Sequence, residues 1–332
     1  MPPHLLLLDG GLGTTLEQHH ALPLSSPLWS TQPLLSPTTR PSLINCHRSF
    51  ILSGAAIILT ATYQLPPSAP AALACDAIAA ADEARADTPD PKPDIALSLG
   101  PYGATMTPST EYSAAYDPSH RTVASLAAWH AARLRLFEPL PSAVGLLAFE
   151  TIPRVEEITA VRAAVASSAK PDVEFWISCV FPGDGGTLPD GTAVEEAVDA
   201  MLRGEGARPW GVGINCCAAS KVRGLVGRYR AAVEGVVARG EGGGWPWLVV
   251  YPDGTRGEVY NTVTKRWEGG VEGVGGPLWE EEVAGVVVEE MEKGGWKGIV
   301  VGGCCRTDSH DIGRLRGALA EKGVYGGFRS QV

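Results

Sequence analysis

Two adjacent cysteine pairs, Cys216-Cys217 and Cys304-Cys305, are the residues of this sequence most suited to chemistry. Neighbouring cysteines bridge each other only with difficulty, because a normal disulfide needs Cα atoms about 4.4–6.8 Å apart and converging side chains. The odd total of seven cysteines also does not fit the framework of a small disulfide-rich secreted domain. The pairs therefore point to metal binding or redox chemistry.

Three of these thiols follow apolar runs that have the length of strands. Cys216 comes directly after residues 210–215, and Cys304 and Cys305 follow residues 298–301 after two glycines. In a parallel barrel these positions lie at the C-terminal face, where active sites are built, and they converge if the strands are sixth and eighth. Three thiolates suit Zn²⁺ and leave one coordination position open. The alternative is that they are small buried hydrophobic residues, since no CxxC spacing is present.

Eight short apolar runs alternate with amphipathic stretches along the chain. Continuous apolarity within a run is typical of parallel strands that are covered on both faces. Eight strand–helix units predict the α/β class and a (β/α)8 TIM-type barrel, with residues 1–332 as one domain; an open doubly wound sheet is the alternative. The runs are residues 5–8, 55–59, 95–99, 144–149, 173–181, 210–215, 247–251 and 298–301.

Apolar residues at helical spacing predict helices over residues 123–137, 158–165, 222–233 and 312–319. Two connecting segments are unusual. Residues 64–94 combine prolines with an Ala-rich helix over residues 71–86, and residues 240–276 are Gly-rich. We expect the second segment to be a long loop that forms part of a lid.

Charge and hydropathy exclude two classes of partner. The chain has 27 basic and 37 acidic residues, a net charge of −10, and no Lys/Arg run that could follow phosphates or an anionic membrane. It also has neither the ~18 consecutive apolar residues of a membrane span nor the basic start and cleavage site of a secretory signal. We therefore expect a soluble, cytoplasmic protein; the sequence gives no indication of its oligomeric state.

Six segments resemble, in order, the signature motifs of the homocysteine S-methyltransferase family, in particular its branch that uses S-methylmethionine or S-adenosylmethionine. The combination of GINC with GGCCRT is specific, and the segments span nearly the whole chain. They are LDGGLGT (8–14), TATYQ (60–64), SLGPYGA (98–104), FETIP (149–153), GINC (213–216) and GGCCRT (302–307).

The resemblance implies transfer of a methyl group from one of these sulfonium donors to the thiol of L-homocysteine, which gives methionine. It implies that Cys216, Cys304 and Cys305 bind Zn²⁺, with Cys217 outside the metal shell. Metal coordination turns a thiol of pKa about 8.5 into the nucleophilic thiolate. Glu150 follows a predicted strand and, by the resemblance, binds the substrate ammonium; a helix N-terminal acid is the alternative.

The remaining polar positions near strand ends have weaker assignments. Gly10 and Gly11 offer backbone N–H groups for the substrate carboxylate, with Asp9 shaping the turn. Tyr63, Tyr102 and Tyr251 could face a sulfonium by cation–π contact, or could serve packing. We expect His47, Cys46, Cys75 and Cys179 to be packing residues, although His47 could instead be solvated.

The segment after TATYQ differs from the family, which usually continues with AS and a Gly-containing helix, whereas this chain reads Leu65-Pro66-Pro67. A helix is therefore expected to be missing or shortened, which affects the donor side of the pocket.

The sequence leaves three alternatives to methyl transfer to homocysteine. The acceptor could be another thiol or a selenol, or the chain could be a zinc-binding barrel without catalysis. A phosphosugar-type barrel with a phosphate at Gly302-Gly303 ranks last, because it leaves the cysteines unexplained.

Overall fold

The computed structural model describes residues 4–24, 26–88, 90–241, 243–255, 257–261, 264, 266–270 and 278–324. The predictions above that concern residues 1–3, Pro89, residues 271–276 and the chain end beyond residue 324 lie outside these ranges.

Eight parallel strands form a barrel in the order β1–β10–β7–β6–β5–β4–β3–β2. A parallel bridge between Leu8 and Ile57 joins β1 to β2, and the Ala56 N–H donates to the Leu7 carbonyl at 2.7 Å. The predicted (β/α)8 barrel is thus confirmed, and the open sheet is wrong. The barrel strands are β1 His4–Leu7, β2 Ile57–Leu59, β3 Asp94–Leu99, β4 Val144–Ile152, β5 Phe175–Cys179, β6 Gly211–Ala218, β7 Trp247–Asp253 and β10 Gly298–Val301.

Both faces of these strands are buried, which explains the continuous apolar runs. Leu6 of β1 and Leu8 just after it belong to the cluster inside the barrel, whereas Leu5 and Leu7 of β1 belong to the core between strands and helices. Gly213 in β6 is required by packing, because a Cβ there would lie 2.0 Å from the Val249 carbonyl oxygen. The glycine lets β6 approach β7 closely just before the cysteine of GINC.

Helices lie between the barrel strands, as the predicted alternation requires. Every helix of the sequence prediction is present, and the helix predicted over residues 71–86 has the same bounds. The segment after β2 contains this 16-residue helix, and the expected difference from the family in this segment stays a prediction. The helices are α1 Leu12–His19, α2 Arg40–Leu52, α3 Ala71–Ala86, α4 Val123–Arg135, α5 Val155–Ala166, α6 Val194–Leu202, α7 Ala219–Ala238, α8 Trp279–Lys293 and α9 Ser309–Glu321.

The Gly-rich segment after β7 contains an antiparallel pair that the sequence did not predict. Strand β8 Glu258–Asn261 pairs with β9 Arg266–Gly269, and an ion pair of 2.6 Å joins Glu258 to Arg306 at the barrel mouth. The hairpin is therefore linked to the loop that follows β10. Among the helices of the described residues, none is long and apolar enough to cross a membrane.

Candidate metal centre and substrate cavity

The three predicted thiols converge at the C-terminal mouth of the barrel. Cys216 lies in β6 and Cys304 and Cys305 follow β10, with β7 between these two strands. The three Sγ atoms lie within 4.8 Å of one another, close enough to hold one metal ion. Cys216 and Cys304 are joined as a disulfide of 2.08 Å, with Cα atoms 5.5 Å apart. Only their reduced form can bind a metal, since the thiolate is the ligand.

The backbone at this mouth has an unusual conformation at three non-glycine residues. Thr151, Cys216 and Arg306 have φ angles of 60°, 48° and 63°, in the left-handed region that such residues seldom adopt. Backbone conformations of this kind cluster at functional sites, where surrounding structure enforces them. Thr151 lies near the end of β4, Cys216 is an expected metal ligand, and Arg306 directly follows the expected ligand Cys305.

Asn215 links the ends of β4 and β6. Its side-chain oxygen accepts from the Thr151 N–H at 2.8 Å, and its Nδ2 donates to the Thr151 hydroxyl at 2.8 Å. The same Nδ2 lies 3.2 Å from Cys216 Sγ. This amide therefore orients the Cys216 sulfur and stabilises a negative charge on it. Neither residue was predicted as part of the site, although Asn215 belongs to the motif GINC and Thr151 to FETIP.

The donor set fits a thiolate metal such as zinc. Burial raises the pKa of the Cys305 thiol to about 12, and the charges of Asp253 and Glu111 add to the effect. An isolated Cys305 thiol would therefore be protonated at neutral pH, whereas a metal ion would favour the thiolate. A set of three sulfur donors with one position left open is typical of catalytic zinc sites.

The other cysteines lie outside this group. Cys217 is buried in the core between strands and helices, where burial raises its pKa to about 12. Cys46 and Cys179 are buried as predicted, but Cys75 is exposed on α3, so the core assignment for Cys75 is wrong. His47 is buried, and neither of its ring nitrogens has a hydrogen-bond partner among the described residues; burial lowers its pKa to about 4.

A cavity of about 330 Å³ opens beside the three cysteines, all of which line it. Glu150 also lines it and is 5% exposed. Its carboxylate accepts hydrogen bonds from Ser98 and Tyr251, and burial raises its pKa to about 7. A buried carboxylate beside three thiols can bind an ammonium group, which would restore the ionised form.

The turn after β1 is arranged differently from the expectation. Gly10 and Gly11 line the cavity, but the Gly11 N–H donates to the Thr307 carbonyl at 2.9 Å. Asp9 is buried and is not among the described lining residues; its carboxylate accepts from the Leu59 N–H at 2.8 Å and connects β1 to β2. Burial raises the pKa of Asp9 well above its usual value.

The loop after β3 contributes a second buried acid. Glu111 is 6% exposed, lines the cavity, and has a pKa that burial raises to about 7. Tyr63, Tyr112 and Tyr251 line the same cavity. Tyr102 does not: its hydroxyl donates to Asp117 and its ring stacks on His120. Neither Glu111 nor Tyr112 was predicted as a site residue from the sequence.

A closed (β/α)8 barrel with three convergent thiols and two buried carboxylates at its mouth defines a barrel enzyme with a thiolate site for small substrates. The profile of the homocysteine S-methyltransferase family matches residues 6–319. The chain belongs to the homocysteine S-methyltransferase family, and it is an enzyme of that methyl-transferring class.

Individual relatives agree with this assignment. The homocysteine S-methyltransferase of Escherichia coli strain K12 is 30% identical over 333 residues, 94% of each chain. Homocysteine S-methyltransferase 2 of Zea mays is 30% identical over 95% of this chain and 89% of its own. Selenocysteine Se-methyltransferase of Brassica oleracea var. italica is 29% identical over the same shares.

Solved structures show the same architecture. The metallated form of the homocysteine methyltransferase MmuM from Escherichia coli superimposes with a TM-score of 0.69 at 27% identity, over 96% of each chain. Its oxidized form gives a TM-score of 0.67 at 28% identity, over 94% of this chain and 95% of that one.

Proposed function

We propose that this protein catalyses zinc-dependent methyl transfer from S-methylmethionine or S-adenosylmethionine to L-homocysteine. The observation that carries the proposal is the convergence of Cys216, Cys304 and Cys305 within 4.8 Å beside the cavity. These cysteines would hold the zinc ion, which would lower the pKa of a bound substrate thiol so that the thiolate forms at neutral pH.

The residues around the cysteines orient the acceptor. Glu150 pairs with the ammonium of homocysteine. Ser98 and Tyr251 hold the Glu150 carboxylate in position through hydrogen bonds. The substrate carboxylate lies at the turn formed by Gly10 and Gly11 and the first turn of α1. The first amides of a helix have no partner within it and favour a negative charge. Asp9 stabilises this turn by accepting a hydrogen bond from the Leu59 N–H.

Methyl transfer itself requires alignment more than acid–base catalysis. A lone pair of the acceptor sulfur forms the new S–CH₃ bond as the CH₃–S⁺ bond breaks. The electron pair of the broken bond stays on the donor sulfur, which becomes a neutral thioether and needs no proton. The acceptor thiol proton is released to solvent before transfer. The main contribution of the protein is to hold sulfur and methyl in line.

The direct test is an assay for methionine with purified, reduced protein and one equivalent of zinc. A reductant is required because the Cys216–Cys304 disulfide removes two ligands. We expect product with S-methylmethionine or S-adenosylmethionine and none with betaine, whose methyl group is carried on nitrogen. Selenocysteine offered as a competing acceptor tests the choice of thiol. Absence of product with every donor would overturn the proposal.

A further inference from the structure

Glu111 is a buried carboxylate that is only partly hydrogen-bonded by the described residues. It is 6% exposed, and its Oε2 atom has no hydrogen-bond partner among the described residues. The hydrogen-bonding groups near its carboxylate are the Ser109 side chain and its own backbone N–H. A buried carboxylate oxygen without a partner is costly, and Glu111 lines the cavity, so a ligand is the natural source of the missing partner.

The surroundings of Glu111 determine the charge of that ligand. Among the described residues that line the cavity there is no Lys, Arg or His, whereas Glu111, Glu150 and three cysteines lie there. Glu111 interacts electrostatically with Tyr63, Tyr112 and Cys305. It is therefore near the thiol site, in an acidic and aromatic environment that fits a cation.

Two buried acids match two cationic groups. Glu150 pairs with the ammonium of the acceptor, which leaves Glu111 for a cation of the donor. We infer that Glu111, with Tyr63 and Tyr112, forms the subsite that binds the α-ammonium of a sulfonium amino-acid donor. This inference rests on the proposed function, and it assigns the donor side of the same cavity to the loop after β3.

Physical chemistry favours the donor's ammonium over its sulfonium as the partner of Glu111. The sulfonium loses its charge during transfer, so a carboxylate placed against it would stabilise the ground state more than the transition state and would slow the reaction. The ammonium keeps its charge throughout. Its interaction with Glu111 is equal in both states, and it lowers the KM of the donor without changing kcat.

The test compares Glu111→Gln with Glu205→Gln, which removes an acidic group exposed outside the cavity. With S-methylmethionine, we expect Glu111→Gln to raise the donor KM by about 30-fold, as for loss of one buried charge-assisted bond. The kcat and the homocysteine KM should stay as in the parent protein. Glu111→Asp keeps the charge and should give an intermediate donor KM. Trimethylsulfonium, which has no ammonium group, should show no dependence on Glu111.

Calorimetric binding of S-methylmethionine to the reduced, zinc-loaded protein without acceptor separates this inference from the proposed function. Loss of binding in Glu111→Gln supports the subsite even if turnover fails. If homocysteine is methylated but S-methylmethionine binds equally well to Glu111→Gln, the inference is overturned and the proposed function stands. A fall in kcat with unchanged donor KM, a selective rise in the homocysteine KM, or absence of S-methylmethionine binding to the parent protein would also overturn it. Thermal melting of both glutamine variants and of Glu111→Asp verifies that the comparison is made on folded proteins.

Discussion

The two sides of the barrel mouth are built in different ways. On one side, Cys216 and Glu150 lie within strands, and Cys304 and Cys305 follow β10 after two glycines, so the sheet positions these groups. On the other side, Glu111 and Tyr112 lie in the long connection between β3 and α4. The groups proposed to act at the transferred methyl are therefore held by strands, whereas those proposed to select the donor are held by a loop. Barrel enzymes commonly divide scaffold and specificity in this way.

One buried carboxylate holds that loop in place. Glu157 of α5 is fully buried and accepts from the Tyr102 N–H at 2.7 Å and from the Tyr116 hydroxyl. His130 of α4 lies 2.9 Å from the same carboxylate. These contacts fix the two ends of residues 102–116, between which Glu111 lies. The positions of the site residues on the strand side depend on backbone pairing, whereas those on the loop side depend on the Glu157 anchor. Substitutions on the two sides should therefore have different effects.

The largest effect is expected from the thiols on the strand side. Cys304→Ser should abolish stoichiometric zinc binding and reduce kcat/KM by about 1,000-fold or more, because two thiols are too few for the proposed catalytic site. Cys216→Ser should behave alike. Cys217→Ser, which changes the neighbouring buried thiol, should keep both zinc and turnover. Metal analysis and kinetics on the same samples measure this, and full zinc content in Cys304→Ser would contradict the ligand assignment.

Glu150→Gln tests the acceptor side of the cavity without touching the metal ligands. We expect the homocysteine KM to rise by about 30-fold, as for loss of a buried charge-assisted bond of ~2 kcal/mol. Zinc content and the KM of the donor should not change. The matched variant is Glu111→Gln, whose effect should fall on the donor instead. If both substitutions changed the same KM, the division of the cavity into two sides would be wrong.

The pKa of Glu150, raised to about 7 by burial, predicts a pH dependence for acceptor binding. The ionised carboxylate binds the ammonium, so binding weakens as pH falls through 7. The ionised fraction drops from about 0.9 at pH 8 to about 0.1 at pH 6, which predicts about tenfold weaker binding at pH 6. The inhibition constant of L-methionine measures this pH dependence, because L-methionine has the same ammonium group as the acceptor but no thiol that titrates. Glu150→Gln should show a flat profile over this range; an equal slope in both proteins would assign the dependence to another group.

Much of the strand side could be predicted from sequence, because buried parallel strands produce continuous apolar runs. Gly298–Val301 is predicted at its observed bounds. Strand β4 extends beyond its predicted end to Ile152, because Ile152 pairs with Cys179 of β5 after an irregularity at Glu150 and Thr151. Helix α1 was not predicted, since its sequence LGTTLEQH has only a short apolar face.

The loop side could not be predicted in the same way. Glu111 looks like an ordinary polar loop residue, and its burial depends on Glu157, which is 46 positions away along the chain and belongs to another helix. The prediction that Cys75 is buried was wrong for a related reason. An Ala-rich helix gives little indication of which of its faces is buried, and Cys75 is exposed. Sequence patterns thus report local burial, whereas a long loop depends on distant partners.

The smallest expected effect tests whether the Glu157 anchor controls the donor side. Tyr116→Phe removes one hydrogen bond to Glu157 and leaves the contacts with Tyr102 N–H and His130. We expect a loss of ~1 kcal/mol in stability, a melting temperature lower by about 1.5 °C, and a rise of about fivefold in donor KM. The homocysteine KM should stay constant, because Glu150 is held by strands. Tyr102→Phe is the control, since its hydroxyl contacts Asp117 rather than Glu157. Equal changes in both KM values for Tyr116→Phe would mean that the two sides of the mouth move as one unit.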